Sequence, residues 1–173
     1  MQDRFVPQMR YSFTCMSPSS YRNPIYWQTT VSEASNILSL GYMVAGKKWD
    51  AKDKKMFKNP FAQYLKLETD FRKTWTLDLN SQLLAHVNAG IIYNYGNSDY
   101  IPFSEQFYVG GANSVRAFTV RSIGPGHYHN DASANIYYLD QTGDLMFQAN
   151  LEYRPRLFGN LYGVLFLDAG NVW

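Results

Sequence analysis

Arg116, Glu152 and Asp168 are the residues of this 173-residue chain whose types and spacing best support specific chemistry. Arg116 lies in a glycine-bearing loop, residues 107–126, which reads FYVGGANSVRAFTVRSIGPG. A guanidinium is always charged and has five N–H donors, enough to serve two carboxylates. Glu152 and Asp168 follow on two later strand-like segments. One fixed cation and two candidate anions on neighbouring strands predict a loop that is held in place by ion pairs.

Catalytic chemistry is not indicated. The histidines, His86, His127 and His129, have no acidic or cysteine partner at metal-ligand spacing. Gly110 and Gly111 are not followed by the Gly-Lys-Ser/Thr ending of a phosphate loop. A Gly-x-Ser-x-Gly nucleophile elbow is also missing. We therefore expect no enzyme activity, no metal and no cofactor.

Composition narrows the class of protein further. The net charge of +2 is too small to indicate nucleic acid as a partner. A single cysteine, Cys15, cannot form an internal disulfide framework. The chain has no run of about 18 apolar residues, so a membrane role would have to come from strands.

Two-residue alternation of apolar and polar side chains predicts six β-strands, each with opposite faces of different character. The alternation in residues 25–44 fails at Glu33, which favours a bulge near residues 32–36 over a short helix at 33–40. Short and long connections alternate, and residues 97–143 form the longest, as in outer-membrane barrels. The six candidate strands are residues 9–16, 25–44, 61–73, 81–97, 144–154 and 161–173.

Alternation by itself fits two kinds of protein. Any antiparallel sheet with one wet face shows it, including a soluble β-sandwich. Tyrosine and tryptophan near the strand ends fit the aromatic girdles of membrane barrels, and they fit equally the core aromatics of a sandwich.

Residues 107–126 resemble the inward-folded loop of BamA/TamA-type outer-membrane assembly barrels, the bacterial surface antigen family. The hallmark of that loop is Val-Arg-Gly-Phe/Tyr, which reads Val115, Arg116, Ala117 and Phe118 here. Ala117 replaces the usual glycine, which implies either a negative φ at this position or a slightly different loop shape.

The resemblance covers residues 101–173 and gives the acidic residues their expected role. It implies that Arg116 lies in the barrel lumen and pairs with Glu152 and Asp168. The chain ends in the family's Phe-x-Asp-x-Gly-x-Val-Trp pattern, here Phe166, Asp168, Gly170, Val172 and Trp173. The expected turns of the loop are at Gly110, Gly111, Gly124, Pro125 and Gly126.

The implied fold is all-β. We expect residues 1–173 to form an antiparallel transmembrane β-barrel segment, about six strands of a sixteen-stranded barrel, with a long inward-folded loop at 97–143. The family's N-terminal POTRA modules and its first and last barrel strands would be absent. No apolar signal segment follows Met1, and we interpret the chain as a fragment.

The implied function is non-enzymatic insertion, assembly or translocation of outer-membrane proteins in the bacterial outer membrane. The implied partners are outer-membrane lipid, unfolded outer-membrane protein clients and accessory assembly subunits. A TamA-like role is favoured over a BamA-like one. The alternatives are a passive pore or two-partner secretion transporter, and a soluble β-sandwich binding module.

Overall fold

A computed structural model describes residues 5–18, 20–49, 51–56, 59–97, 101–127 and 141–173. The elements of this part of the chain are β1 (Gln8–Met16), β2 (Ile25–Ala34), α1 (Asn36–Val44), β3 (Lys55–Met56), β4 (Asn59–Pro60), β5 (Tyr64–Asp78), β6 (Ser81–Asn94), β7 (Leu145–Phe158), β8 (Leu161–Tyr162) and β9 (Leu165–Val172). Six long strands form one sheet in the order β1–β2–β5–β6–β7–β9, and each neighbouring pair is antiparallel. The all-β antiparallel fold predicted from the sequence is confirmed.

The pairing register gives the sheet two faces of different chemistry. Along one row, Asp70 lies opposite Asn88, and Asn88 lies opposite Gln148. Even-numbered residues pair with even-numbered residues across all six long strands, apart from one irregularity at the end of β5. Because side chains alternate between faces, the even-numbered residues share one face, here called the polar face. The odd-numbered residues form the opposite face, here called the apolar face.

The apolar face is open in the described part of the chain. Leu67 is 42% exposed and Phe147 is 46% exposed, although both lie well inside long strands. The polar face carries a loop, residues 101–127, whose Phe107 and Val109 are buried against the sheet. A soluble β-sandwich would instead bury its apolar face against a second sheet. The sandwich interpretation therefore does not fit this structure.

Residues 25–44 differ from the sequence prediction. A strand continuing past a bulge near residues 32–36 is wrong: β2 ends at Ala34, and Ser35 has a left-handed φ of 61°. The helix at 33–40 was the less favoured prediction, and α1 lies a few residues further along. A tertiary contact stabilises it, since the Ser39 hydroxyl donates to Gln63 Oε1 at 2.8 Å. That contact has no local sequence signal.

The connections separate into two rims. Residues 79–80 and 159–160 form tight turns on one rim. These turns are shorter than the sequence pattern predicts, because β5 and β7 continue to Asp78 and Phe158. Residues 35–63 and 95–144 form the long connections of the opposite rim. Within the predicted loop 97–143, residues 98–100 and 128–140, which include His129, lie outside the described residues.

α1 has nine residues, and no helix in the described ranges has the length and apolar character needed to cross a bilayer.

The two faces predict different responses to a buried charge. Val87 lies on the apolar face between Phe71 and Ala149, where contact with lipid is expected. Val87→Lys should lower the free energy of unfolding in vesicles by about 2–4 kcal/mol, the cost of a lysine near the bilayer midplane. The matched variant is Leu84→Lys, on the polar face of the same strand, and it should cost less than about 1 kcal/mol. Equal losses in urea titrations would contradict this assignment of the faces.

Candidate functional site

The loop at 101–127 approaches the sheet where the sheet lacks side chains. The Phe107 ring lies directly over Gly90, in the space that a Cβ there would occupy. A Cβ at Gly170 would lie 2.9 Å from Val109 Cγ1 and 3.1 Å from Val115 Cγ2. The apolar residues of the loop therefore pack against bare backbone, and glycine is required at positions 90 and 170 for this close approach.

The predicted glycine turns adopt the backbone conformations that favour glycine. Among the described residues, Ser35 and Arg121 are the non-glycine residues with positive φ, so Ala117 has an ordinary backbone. Phe118 is half-exposed, and its N–H donates to the Val115 carbonyl at 3.2 Å. The turn residues with positive φ are Gly110 (111°), Gly111 (97°), Gly124 (97°, before Pro125) and Gly126 (60°).

Arg116 contacts carboxylates on two adjacent strands. Its Nε and one terminal nitrogen donate to the two oxygens of Asp168, each at 2.7 Å, and its backbone N–H donates to Asp168 Oδ2 at 3.1 Å. The other terminal nitrogen donates to Glu152 Oε1 at 2.5 Å. The side chains of Arg116, Glu152 and Asp168 are 24%, 16% and 4% exposed. The structure thus brings together the three residues that the sequence singled out.

An aromatic ring completes the surroundings of the guanidinium. Arg116 Cζ lies 4.0 Å from the centroid of the Phe166 ring, within the range of a cation–π contact. The hydrogen bonds to Asp168 are the main reason why the pKa of the Arg116 guanidinium rises above its ordinary value. These contacts favour the charged form that a guanidinium always has in proteins.

Asn150 is a site residue that the sequence did not single out. Its Nδ2 donates to Asp168 Oδ1 at 2.8 Å and to the Ser114 carbonyl at 2.7 Å. Because both partners are acceptors, they fix the orientation of the amide, and Oδ1 points away from them. That oxygen accepts a hydrogen bond from Gln148 Nε2 at 2.7 Å and lies 3.1 Å from His86 Nδ1.

His86 extends this network to a further strand. Its Nε2 lies 3.0 Å from Asp70 Oδ2, and Asp70 also accepts a hydrogen bond from Arg72 Nε at 2.8 Å. Contacts therefore run from β5 through β6 and β7 to β9 and the loop. Sequence reasoning missed His86, Asn150 and Asp70 as site residues. All three alternate with apolar residues, so the sequence shows that they lie on the polar face of their strands. The sequence does not show the cross-strand register that brings them together.

A solvent-connected cavity of about 520 Å³ lies beside the network, and the arginines that line it pair with Asp70, Glu152 or Asp168. Arg154 donates to Glu152 Oε2 at 2.5 Å, while Arg116 holds the other oxygen of the same carboxylate. In the described ranges, no group of three or more His, Cys, Asp or Glu side chains could hold a metal ion. The arrangement can fix a loop electrostatically.

These features define a class of protein. A single antiparallel sheet with an open apolar face and a loop attached to its polar face is the architecture of a membrane β-barrel wall. Residues 56–173 match the Omp85 superfamily domain, and the chain belongs to that superfamily. It is thus part of an outer-membrane β-barrel.

Named relatives agree with this assignment. The chain is 33% identical over 106 residues to the outer membrane protein assembly factor BamA of Neisseria meningitidis, a match that covers 58% of this chain and 12% of that protein. It is 30% identical over 110 residues to the sorting and assembly machinery component 50 homologs of Bos taurus and Homo sapiens, covering 58% of this chain and 23% of each relative. The matched region spans less than a quarter of each of these relatives.

The position of Asn150 predicts that it stabilises the loop contact. Asn150→Ala removes the donor to the Ser114 carbonyl and one donor to Asp168, so the free energy of unfolding should fall by about 1–3 kcal/mol. The hydrogen-exchange rates of the backbone amides in residues 107–126 should increase in the same variant. Gln28→Ala is the matched control, because Gln28 is on the polar face and accepts from Tyr26 on its own strand. Similar effects of the two variants would argue against a special role for Asn150.

Proposed function

We propose that this chain is the loop-bearing part of a barrel that inserts, assembles or translocates outer-membrane proteins without covalent chemistry. In this proposal Arg116, Glu152 and Asp168 form a lock that holds the loop against the lumen wall. The observation that supports it best is that one guanidinium in the loop contacts carboxylates on both β7 and β9.

The lock would act as a brace of the barrel wall. Breaking a buried ion pair by removing one partner costs about 3–5 kcal/mol, and a hydrated lumen lowers that cost. The backbone N–H of Arg116 also donates to Asp168, so this carboxylate holds the main chain of the loop as well as the arginine side chain. A barrel braced in this way can keep these strands in register while its weaker seam opens and pairs with client strands, as in β-augmentation.

The assembly role is proposed from the similarity to an assembly factor and to two sorting and assembly machinery homologs. We propose that the partners are outer-membrane lipid, unfolded outer-membrane protein clients and accessory assembly subunits. A bacterial outer membrane is the proposed location, with Neisseria supplying the bacterial relative. The TamA-like role, the fragment interpretation and the limits of the partial-barrel domain remain predictions. The number of POTRA modules in the full-length protein tests the first two.

Arg116→Ala should release the loop while leaving the strands formed. We expect cleavage by chymotrypsin after Tyr108 and Phe118 to accelerate at least about tenfold, since a loss of about 1.4 kcal/mol already changes an open population by that factor. Chymotrypsin is preferred to trypsin because the substitution deletes a tryptic site. Arg116→Lys should be intermediate, since an ammonium keeps the charge but not the bidentate geometry.

Arg154→Ala is the control for this experiment, because it removes the other cation on Glu152 without touching the loop. It should leave proteolysis unchanged. Unchanged cleavage in Arg116→Ala would remove the lock role. The assembly role is tested separately by adding a urea-unfolded β-barrel client to vesicles that contain the full-length protein. No acceleration of client folding, together with steady ion conductance, would favour the passive pore.

A further inference from the structure

The helix α1 lies on the outer side of the sheet, at the rim with the long connections. Asn36 Nδ2 donates to Glu33 Oε2 at 2.6 Å, and Asn36 Oδ1 accepts from the Tyr95 hydroxyl at 2.7 Å and from Gln63 Nε2 at 3.3 Å. Ser39, on the next helical turn, is fully buried and donates to Gln63.

The parity of these partners fixes the side of the sheet. Glu33 ends β2 on the apolar face, in the same row as Leu65 and Tyr93. Gln63 and Tyr95 lie two residues beyond Leu65 and Tyr93 and form the next row, since the Tyr95 N–H donates to the Gln63 carbonyl at 3.2 Å. All three partners are odd-numbered residues. The helix therefore lies at the rim ends of β2, β5 and β6, on the side of the apolar face.

The surface of α1 that points away from the sheet is apolar. Ile37 is 61% exposed, Leu40 is 48% exposed and Val44 is 88% exposed. Their spacing of three and four residues places them on one face of the helix, opposite Ser39. The exposed face of a helix in water is normally polar, so we expect this apolar face to contact an apolar neighbour.

Positive charge lies beside this apolar surface. Residues 35–63 contain six lysines and two aspartates. The Tyr42 hydroxyl donates to the Lys55 carbonyl, and Lys47 Nζ lies 5.8 Å from the centroid of the Tyr42 ring, so the basic segment packs against the helix. Lys48 and Lys55 are exposed. An apolar helix face flanked by lysines is typical of helices that lie in a membrane interface.

We propose that α1 is an interfacial helix that lies in the membrane leaflet at this rim. Ile37, Leu40 and Val44 contact the boundary between headgroups and acyl chains, and Lys48 and Lys55 bind lipid phosphates. The occupant is lipid because this surface is continuous with the apolar face of the sheet and carries the charge that complements anionic headgroups. α1 precedes residues 56–173, which match the Omp85 superfamily domain.

Spin labels on three apolar residues that are each about half-exposed provide the test. The full-length protein with Cys15→Ser is refolded into phosphatidylcholine vesicles containing phosphatidylglycerol, and one cysteine is introduced per variant. Leu40→Cys is the test position. Ile91→Cys, on the apolar face of β6 and 47% exposed, is the lipid reference. Val120→Cys, on the loop over the polar face and 56% exposed, is the water reference.

Collisions with oxygen and with a water-soluble nickel chelate then report the surroundings of each label. We expect the oxygen-to-nickel ratio at Leu40 to be several-fold above that at Val120 and close to that at Ile91. A ratio equal to that at Val120 would overturn the proposal, because the helix would lie in water. An immobilised label that neither reagent reaches would also overturn it, since a protein surface would then cover the helix.

The lysines are tested with spin-labelled phosphatidylglycerol and phosphatidylcholine. Lys48→Gln with Lys55→Gln should lower the preference for the anionic lipid by up to about fivefold for each lysine. Lys66→Gln is the matched control, since Lys66 lies on the polar face and donates to the Glu105 carbonyl at 2.9 Å. An unchanged preference in the double variant would remove the lipid-phosphate contact from the proposal.

Discussion

A guanidinium withdrawn from bulk water must have its charge matched by neighbouring acids, and the arrangement of this chain depends on that requirement. Arg116 meets it with Asp168 and Glu152, which lie on two strands that are adjacent only after the sheet has formed. Loop and sheet therefore stabilise each other. The sheet supplies two carboxylates at the right separation, and the loop supplies the cation without which those carboxylates, at 16% and 4% exposure, would repel one another.

The register of the sheet makes this meeting possible. Because even-numbered residues pair with even-numbered residues across the long strands, every polar side chain of the network lies on the same face as the loop. A slip of one residue would move Glu152 or Asp168 to the lipid side. Gly90 and Gly170 are needed for the same contact, because the absence of side chains there lets the loop come close enough for the guanidinium to reach both strands.

Much of this could be predicted from the sequence because the relevant signals are local. The alternation of side chains gave the strands and their faces, and the loop motif singled out Arg116 with its two acidic partners. The signals for Asn150 and His86 were weaker. Parity shows that each side chain is on the polar face, but its partners on neighbouring strands are fixed by the pairing register, which the sequence does not show. The helix α1 was misread because Ser39 is buried by Gln63, 24 residues further along the chain. Periodicity within a short window contains no information about such a contact.

The packing of Phe107 over Gly90 has an evolutionary consequence. A ring that rests on bare main chain occupies the volume of the missing side chain, so the two positions share one fixed space. A larger residue at 90 can be accommodated only with a smaller one at 107, and homologous sequences should show these two sites changing together. Such covariation would record the docked loop in sequence data, independently of any ion pair.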